Sequence, residues 1–152
     1  MIRAALFAGV LALAACAPGA EKGEAPVAQN EAVPAPTPED VAVRITAEQA
    51  GQRIEVAVNQ RFAVELVGVP TAGYQWAVAQ MPTFLTRAGE ASGNTTEAQS
   101  EPGFVGGNHW EVLMFAATAP GEGELLLEQR RPWEADEPAI ASFRVTIVAR
   151  AP

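Results

Sequence analysis

The chain has one cysteine and one histidine in 152 residues, and 18 acidic residues stand against 10 basic ones. Each shortage removes a class of function. The only cysteine, Cys16, lies near the N-terminus, so the rest of the chain has neither a disulfide nor a thiol nucleophile. Its fold must therefore rest on a hydrophobic core. His109 has no second histidine or free cysteine to join it, so no transition-metal site and no cofactor are expected. No nucleophile elbow exists to recruit His109 into a Ser-His-Asp triad, and it reads as a polar residue at a loop edge. Carboxylates alternate with apolar residues, as on solvated faces, which gives no paired acid/base site. No catalytic residue is assigned, and the chain is read as a non-enzyme. With a net charge of -8, nucleic acid is not an expected partner and an anionic bilayer repels the body of the chain. No apolar stripe of helical period runs for two turns or more, and residues 46–51 form at most a short turn of helix.

The first 15 residues read as a secretory signal. Arg3 precedes the apolar stretch from Ala4 to Leu13, and small residues follow in Leu13-Ala14-Ala15-Cys16. That stretch is too short to be read first as a membrane span. Leu-Ala-Ala-Cys resembles the bacterial lipobox, in which the cysteine is lipidated and becomes the mature amino terminus. Contact with the membrane is then through the lipid on Cys16 alone. Ala17, where an Asp would signal inner-membrane retention, favours the outer membrane of a bacterial envelope, on its periplasmic face or at the cell surface. Residues 16–39 are rich in Ala, Pro, Glu and Gln, with Pro18, Pro26, Pro34, Pro36 and Pro38. This composition reads as a disordered, acidic, Pro-stiffened tether reaching roughly 25–30 Å.

From residue 40 onwards the dominant period is two. Ile54, Val56 and Val58 alternate with Arg53, Glu55 and Ala57, and Phe62, Val64 and Leu66 alternate with Ala63 and Glu65. Trp110, Val112, Met114 and Ala116 share one face of a longer run, while Glu111, Leu113 and Phe115 share the other. Leu125 and Leu127, then Phe143, Val145 and Ile147, repeat the pattern. Turn signals are expected to separate the runs at Asn59-Gln60, Pro70 to Gly73, Ser92-Gly93-Asn94, Gly106-Gly107, Pro120-Gly121 and Glu137-Pro138. Seven to eight short strands in about 110 residues predict an all-β, immunoglobulin-like β-sandwich over residues 40–152. Trp76 fits a tryptophan buried on a central strand.

Three turn-rich segments lie between these strands. The first is Val69-Pro70-Thr71-Ala72-Gly73-Tyr74-Gln75-Trp76, the second Gly103-Phe104-Val105-Gly106-Gly107-Asn108-His109-Trp110, and the third Arg131-Pro132-Trp133-Glu134. Pro70 fixes φ and Gly73 permits φ > 0, so Thr71-Ala72 sits at the tip of a constrained turn. Phe104 and Val105 are expected at the tip of a Gly-rich loop. Trp133, placed after Pro132 in an acidic turn, has few core neighbours in sequence and reads as an interface anchor.

In order and spacing the three segments resemble the chagasin-type inhibitors of papain-like cysteine peptidases. That family shows Asn-Pro-Thr-Thr-Gly-Tyr-x-Trp, then Gly-x-Gly-Gly, then Arg-Pro-Trp-Glu. Residues 131–134 match in full, as do Pro70, Thr71, Gly73, Tyr74, Trp76, Gly106 and Gly107. Val69 stands for Asn, Ala72 for the second Thr, and Phe104 for the first Gly of the middle motif. Loss of the Asn removes a turn-capping side chain, which predicts a less rigid loop. The bulk of Phe104 predicts weaker inhibition or a differently shaped target cleft.

The resemblance implies a monomeric, reversible inhibitor that plugs a peptidase cleft with three loops at one end of the sandwich. Its contact residues would be Pro70, Thr71, Ala72, Gly73 and Tyr74, with Phe104, Gly106 and Gly107, and with Arg131, Pro132 and Trp133. The other reading, motivated by Val69, Ala72 and Phe104, is a non-inhibitory binding or assembly module of the envelope on the same fold.

Overall fold

The structure, a computed structural model, describes residues 31–134 and 136–152. The signal segment, Cys16 and the first part of the expected tether lie outside the described residues. Among the described residues, eight strands form two four-stranded sheets, with three short 3-10 turns. They are β1 Val43–Thr46, β2 Arg53–Ala57, β3 Arg61–Gly68, β4 Gln75–Gln80, β5 Leu85–Asn94, β6 His109–Ala117, β7 Gly121–Arg130 and β8 Ala141–Arg150. One sheet has the order β1-β3-β6-β5 and the other β2-β8-β7-β4. The β1–β3 and β2–β8 pairs are parallel, the rest antiparallel.

The alternating side chains meet between the sheets as the period of two requires. Phe62, Val64 and Leu66 of β3 and Leu113 and Phe115 of β6 face Leu125 and Leu127 of β7 and Phe143, Val145 and Ile147 of β8. Phe62 and Phe115 stack at the centre with ring centroids 5.5 Å apart. Both are fully buried, and at about 25 cal/mol per Å² of apolar surface these side chains dominate the stabilisation of a chain without disulfides.

Two expectations are corrected. Residues 31–39, read as the end of a disordered tether, lie as an ordered arm along the outer face of the first sheet. Trp110 Nε1 donates to Val33 O at 2.7 Å, and Thr37 Oγ1 donates to Glu65 Oε1. Ala35 packs with Ala63, Val112 and Met114 in a second apolar cluster. This cover buries Ala63 and Glu65, which a half-buried strand would have exposed, so β3 is buried on both faces. The small Ala and Pro side chains of the arm have no apolar period of their own, yet Ala35 packs on this cluster and the Pro36 ring lies against the bare face of Gly93. Secondly, β4 is an edge strand, so Trp76 is half-buried at the margin of the core instead of anchoring its centre. Its Nε1 donates to Val67 O at 3.0 Å.

Strand pairing fixes where the connections go. Gly68 at the end of β3 and Asn94 at the end of β5 both lie opposite His109 at the start of β6. Gln75 at the start of β4 lies opposite Arg130 at the end of β7, and Gln129 opposite Ala141 at the start of β8. The short β3–β4 connection joins these ends across the two sheets. The β3–β4, β5–β6 and β7–β8 connections therefore share one pole.

Candidate functional site: three turns at one pole

The three segments singled out by sequence are these three connections. In the first, Pro70–Ala72 form a single 3-10 turn closed by Gly73 at φ 82°, a left-handed conformation that suits glycine. Ala72 N donates to Val69 O at 3.0 Å, Gly73 N to Pro70 O at 2.9 Å and Tyr74 N to Val69 O at 3.3 Å. The turn is thus closed by backbone bonds and does not depend on the side-chain cap that Val69 lacks. Thr71 and Ala72 are exposed at its tip, while Pro70, Gly73 and Tyr74 are half-buried.

The third connection braces the first. Arg131 Nε donates to Ala72 O at 2.9 Å, and the guanidinium lies 4.5 Å from the centroid of the Tyr74 ring. Arg131 Nη1 donates to Glu134 Oε1 at 3.0 Å, which closes its own turn. The indole of Trp133 lies over the Cα of Gly73, where a Cβ would collide with its outer ring atoms. Glycine is therefore required at position 73 twice, by φ and by contact. Trp133 is nevertheless 69% exposed, and Pro132 is exposed beside it. The arrangement presents an indole face outward on two turns bonded to each other. Arg131 is a brace between the two turns.

The second connection reaches the pole through strand pairing. Phe104 is 45% and Val105 92% exposed, as expected of a loop tip. Gly106 and Gly107 have φ 86° and 98°. Phe104 turns back toward Gly107, and its Cε1 would lie 3.3 Å from a Cβ placed there.

Beneath the turns, Glu111 points between the sheets on the same face as Leu113 and Phe115. Its Oε2 accepts a bond from Trp76 N at 2.7 Å, tying β6 to edge strand β4. Its Oε1 finds no hydrogen-bond partner among the described residues and occupies the space left by the missing side chain of Gly68. Burial pushes this carboxyl above its ordinary value, with the Trp76 N–H and the nearby His109 pulling the other way. His109 Nδ1 also lacks a partner there.

Sequence reasoning gave no role to Glu111, Gly68 or Gln99, whose amide holds the β5–β6 connection. The signals were present. Glu111 shares its strand face with two core residues, and Thr96-Glu97-Ala98-Gln99 has the spacing of a capping box. Among the described residues no group of three or more His, Cys, Asp or Glu side chains is placed to hold a metal ion. No helix among them is long and apolar enough to cross a membrane.

The raised carboxyl of Glu111 has a pH signature. A carboxyl whose folded value lies above its unfolded value of ~4.3 keeps more protons in the folded state, so its contribution to stability is lost as pH rises through that window. Glu111→Gln removes this slope and keeps an acceptor for Trp76 N–H. Denaturant melts between pH 4 and 8 should show the variant losing less stability than the parent as pH rises. A larger loss in the variant would contradict the assignment.

The model of the chagasin family of peptidase inhibitors, I42, matches residues 55–147. Amoebiasin-1 of Entamoeba histolytica is 30% identical over 92 residues, which is 59% of this chain and 82% of that protein. The cysteine protease inhibitor EhICP2 of Entamoeba histolytica superposes with a TM-score of 0.60 at 20% identity, over 71% of this chain and 96% of its own. Amebosin superposes with a TM-score of 0.57 at 24% identity, over 71% and 97% of the two chains. These two likenesses confirm the immunoglobulin-like sandwich. With the family match spanning most of the folded body and all three turns, the chain belongs to the chagasin family of peptidase inhibitors.

Proposed function

We propose that this chain reversibly inhibits papain-like cysteine peptidases by inserting the pole formed by residues 69–74, 103–108 and 131–134 into the active-site cleft. The observation that carries this reading is the exposed Trp133 held on a braced pair of turns. The chain belongs to a family of peptidase inhibitors, and EhICP2, which shares its fold, is a cysteine protease inhibitor; that class of target is the one adopted here. Thr71 enters the cleft near the catalytic cysteine on a 3-10 turn. Such a turn is not the extended backbone a papain-like enzyme cleaves, so the inhibitor is not consumed. Trp133 packs on one wall, and the backbone of Gly106 and Gly107 lies along the other, where it can pair with enzyme backbone. Pro70, Ala72, Gly73, Tyr74, Phe104, Arg131 and Pro132 complete or support the contact, which at standard size buries ~1,600 Å². Most of the ordering of these turns occurs when the chain folds, which lowers the entropic penalty of binding. The chemistry needs neither a cofactor nor a second copy.

In the same reading the chain is a monomeric bacterial lipoprotein. Residues 1–15 are its signal, Cys16 its lipid anchor, and the outer membrane of the envelope its location. The Leu-Ala-Ala-Cys sequence supports this.

Titration against papain and a cathepsin L-like enzyme should show inhibition below micromolar concentration. Trp133→Ala should weaken it by about 30-fold or more, as for a central interface anchor. Because the indole is largely exposed, stability should change by no more than ~0.5 kcal/mol. No inhibition by micromolar protein contradicts the function, and an undiminished Trp133→Ala variant contradicts the role of that side chain. For the anchor, fatty-acid labelling in a bacterial host should mark the parent and be abolished in Cys16→Ser. Equal labelling of both would remove Cys16 as the site.

A further inference from the structure

The N-terminal arm and the β5–β6 connection meet at the recognition pole. Val33 N donates to Thr95 O at 2.9 Å, Glu97 N donates to Glu31 O at 3.0 Å, and Ala32 bridges Thr96. Thr95 and Thr96 in turn present their amides to one acceptor. Gln99 Oε1 accepts from Thr95 N at 2.6 Å and from Thr96 N at 2.9 Å. At the other end of the same amide, Gln99 Nε2 donates to Asn108 O at 2.7 Å. Thr95 Oγ1 lies 3.0 Å from both Gln99 Oε1 and Asn108 O.

Gln99 also shapes the loop by contact. A Cβ on Gly107 would stand 2.8 Å from Gln99 Nε2 and 3.3 Å from Phe104 Cε1. The bare face of Gly107 is therefore covered from two sides, by the amide of Gln99 and by the ring of Phe104. Only a side chain with an acceptor at one end and a donor at the other can hold both the amides of Thr95 and Thr96 and the carbonyl of Asn108. The arm lies outside the region matched by the family model, which begins at residue 55.

We propose that Gln99, buttressed by residues 31–37 through Thr95 and Thr96, is a positioning residue that sets the pose of the loop of residues 103–108. The arm then belongs to the inhibitory apparatus of this chain and biases which cleft it fits. The proposal rests on the three-turn reading of inhibition.

Gln99→Glu separates the two ends of the amide. A carboxylate still accepts from Thr95 and Thr96, but it sets a charged oxygen against Asn108 O and cannot donate. Thr95→Val removes the hydroxyl that also approaches Asn108 O. Val33→Pro removes the donor that joins the arm to Thr95. Detergent-solubilised full chain and its variants would be titrated against papain and a cathepsin L-like enzyme, with backbone hydrogen exchange and Tm read in parallel. Gln99→Glu should weaken inhibition about tenfold, the scale of one lost hydrogen bond with a charged oxygen set against Asn108 O, and the double variant with Thr95→Val further. The weakening should lie in faster dissociation and differ between the two enzymes. Val33→Pro should weaken inhibition a few-fold. Exchange should rise within residues 103–108 while Tm stays close to that of the parent. An inhibitory parent with equally potent variants, or variants whose exchange in residues 103–108 is unchanged, overturns the positioning role and leaves the inhibitory reading standing. A parent that inhibits neither enzyme overturns both.

Discussion

Arg131 lies between two connections that belong to different strand pairs, and its bonds join them into one body. The β3–β4 turn crosses from one sheet to the other, while the β7–β8 turn stays within the second sheet. Among the described residues, neither is stiffened by secondary structure beyond a single 3-10 turn. Arg131 bonds to Ala72 O, stacks on Tyr74 and holds Glu134, so that displacing either turn breaks several contacts together. At exposed sites a guanidinium over an aromatic ring contributes about 0.5–1 kcal/mol, and an ion pair such as Arg131–Glu134 about 0.2–1 kcal/mol. Individually these are small, but together they oppose independent motion of the turns. The indole of Trp133 uses this support. It lies on the bare Cα of Gly73 and remains mostly exposed, so its apolar face is available without rearrangement.

The same pole is held from below by groups that are costly to bury. Glu111 places a carboxylate between the sheets, where one oxygen ties β6 to the edge strand and the other has no partner among the described residues. A buried group of this kind lowers stability at neutral pH compared with an apolar residue. In exchange it fixes where the edge strand begins, directly after the first turn. Proteins commonly hold such strained or poorly satisfied groups near surfaces that bind. The core far from the pole, around Phe62 and Phe115, shows the opposite character and is wholly apolar.

Much of this was legible in the chain. Phe143, Val145 and Ile147, or Ile54 and Val56, declare a buried face through alternation alone, because side-chain direction along a strand is a local property. The turn at Pro70 to Gly73 is legible for the same reason, since the two residues restrict or release their own φ. Three features were not legible, and all depend on contacts distant in sequence. The arm of residues 31–39 has the composition of a tether, and only the outer face of the β1-β3-β6-β5 sheet converts Ala35 and Pro36 into packing. The edge position of β4 follows from strand order, which alternation does not encode. The role of Arg131 as a brace required knowing that Tyr74 and Ala72 lie beside it across 57 and 59 positions of chain.

In the proposed complex a peptidase meets all three turns at once and little else. Hydrogen exchange of the inhibitor, free and bound to papain, measures this directly. Added protection confined to residues 69–74, 103–108 and 131–134 is the predicted footprint. Protection centred on the opposite pole, or on the outer face of either sheet, would contradict it.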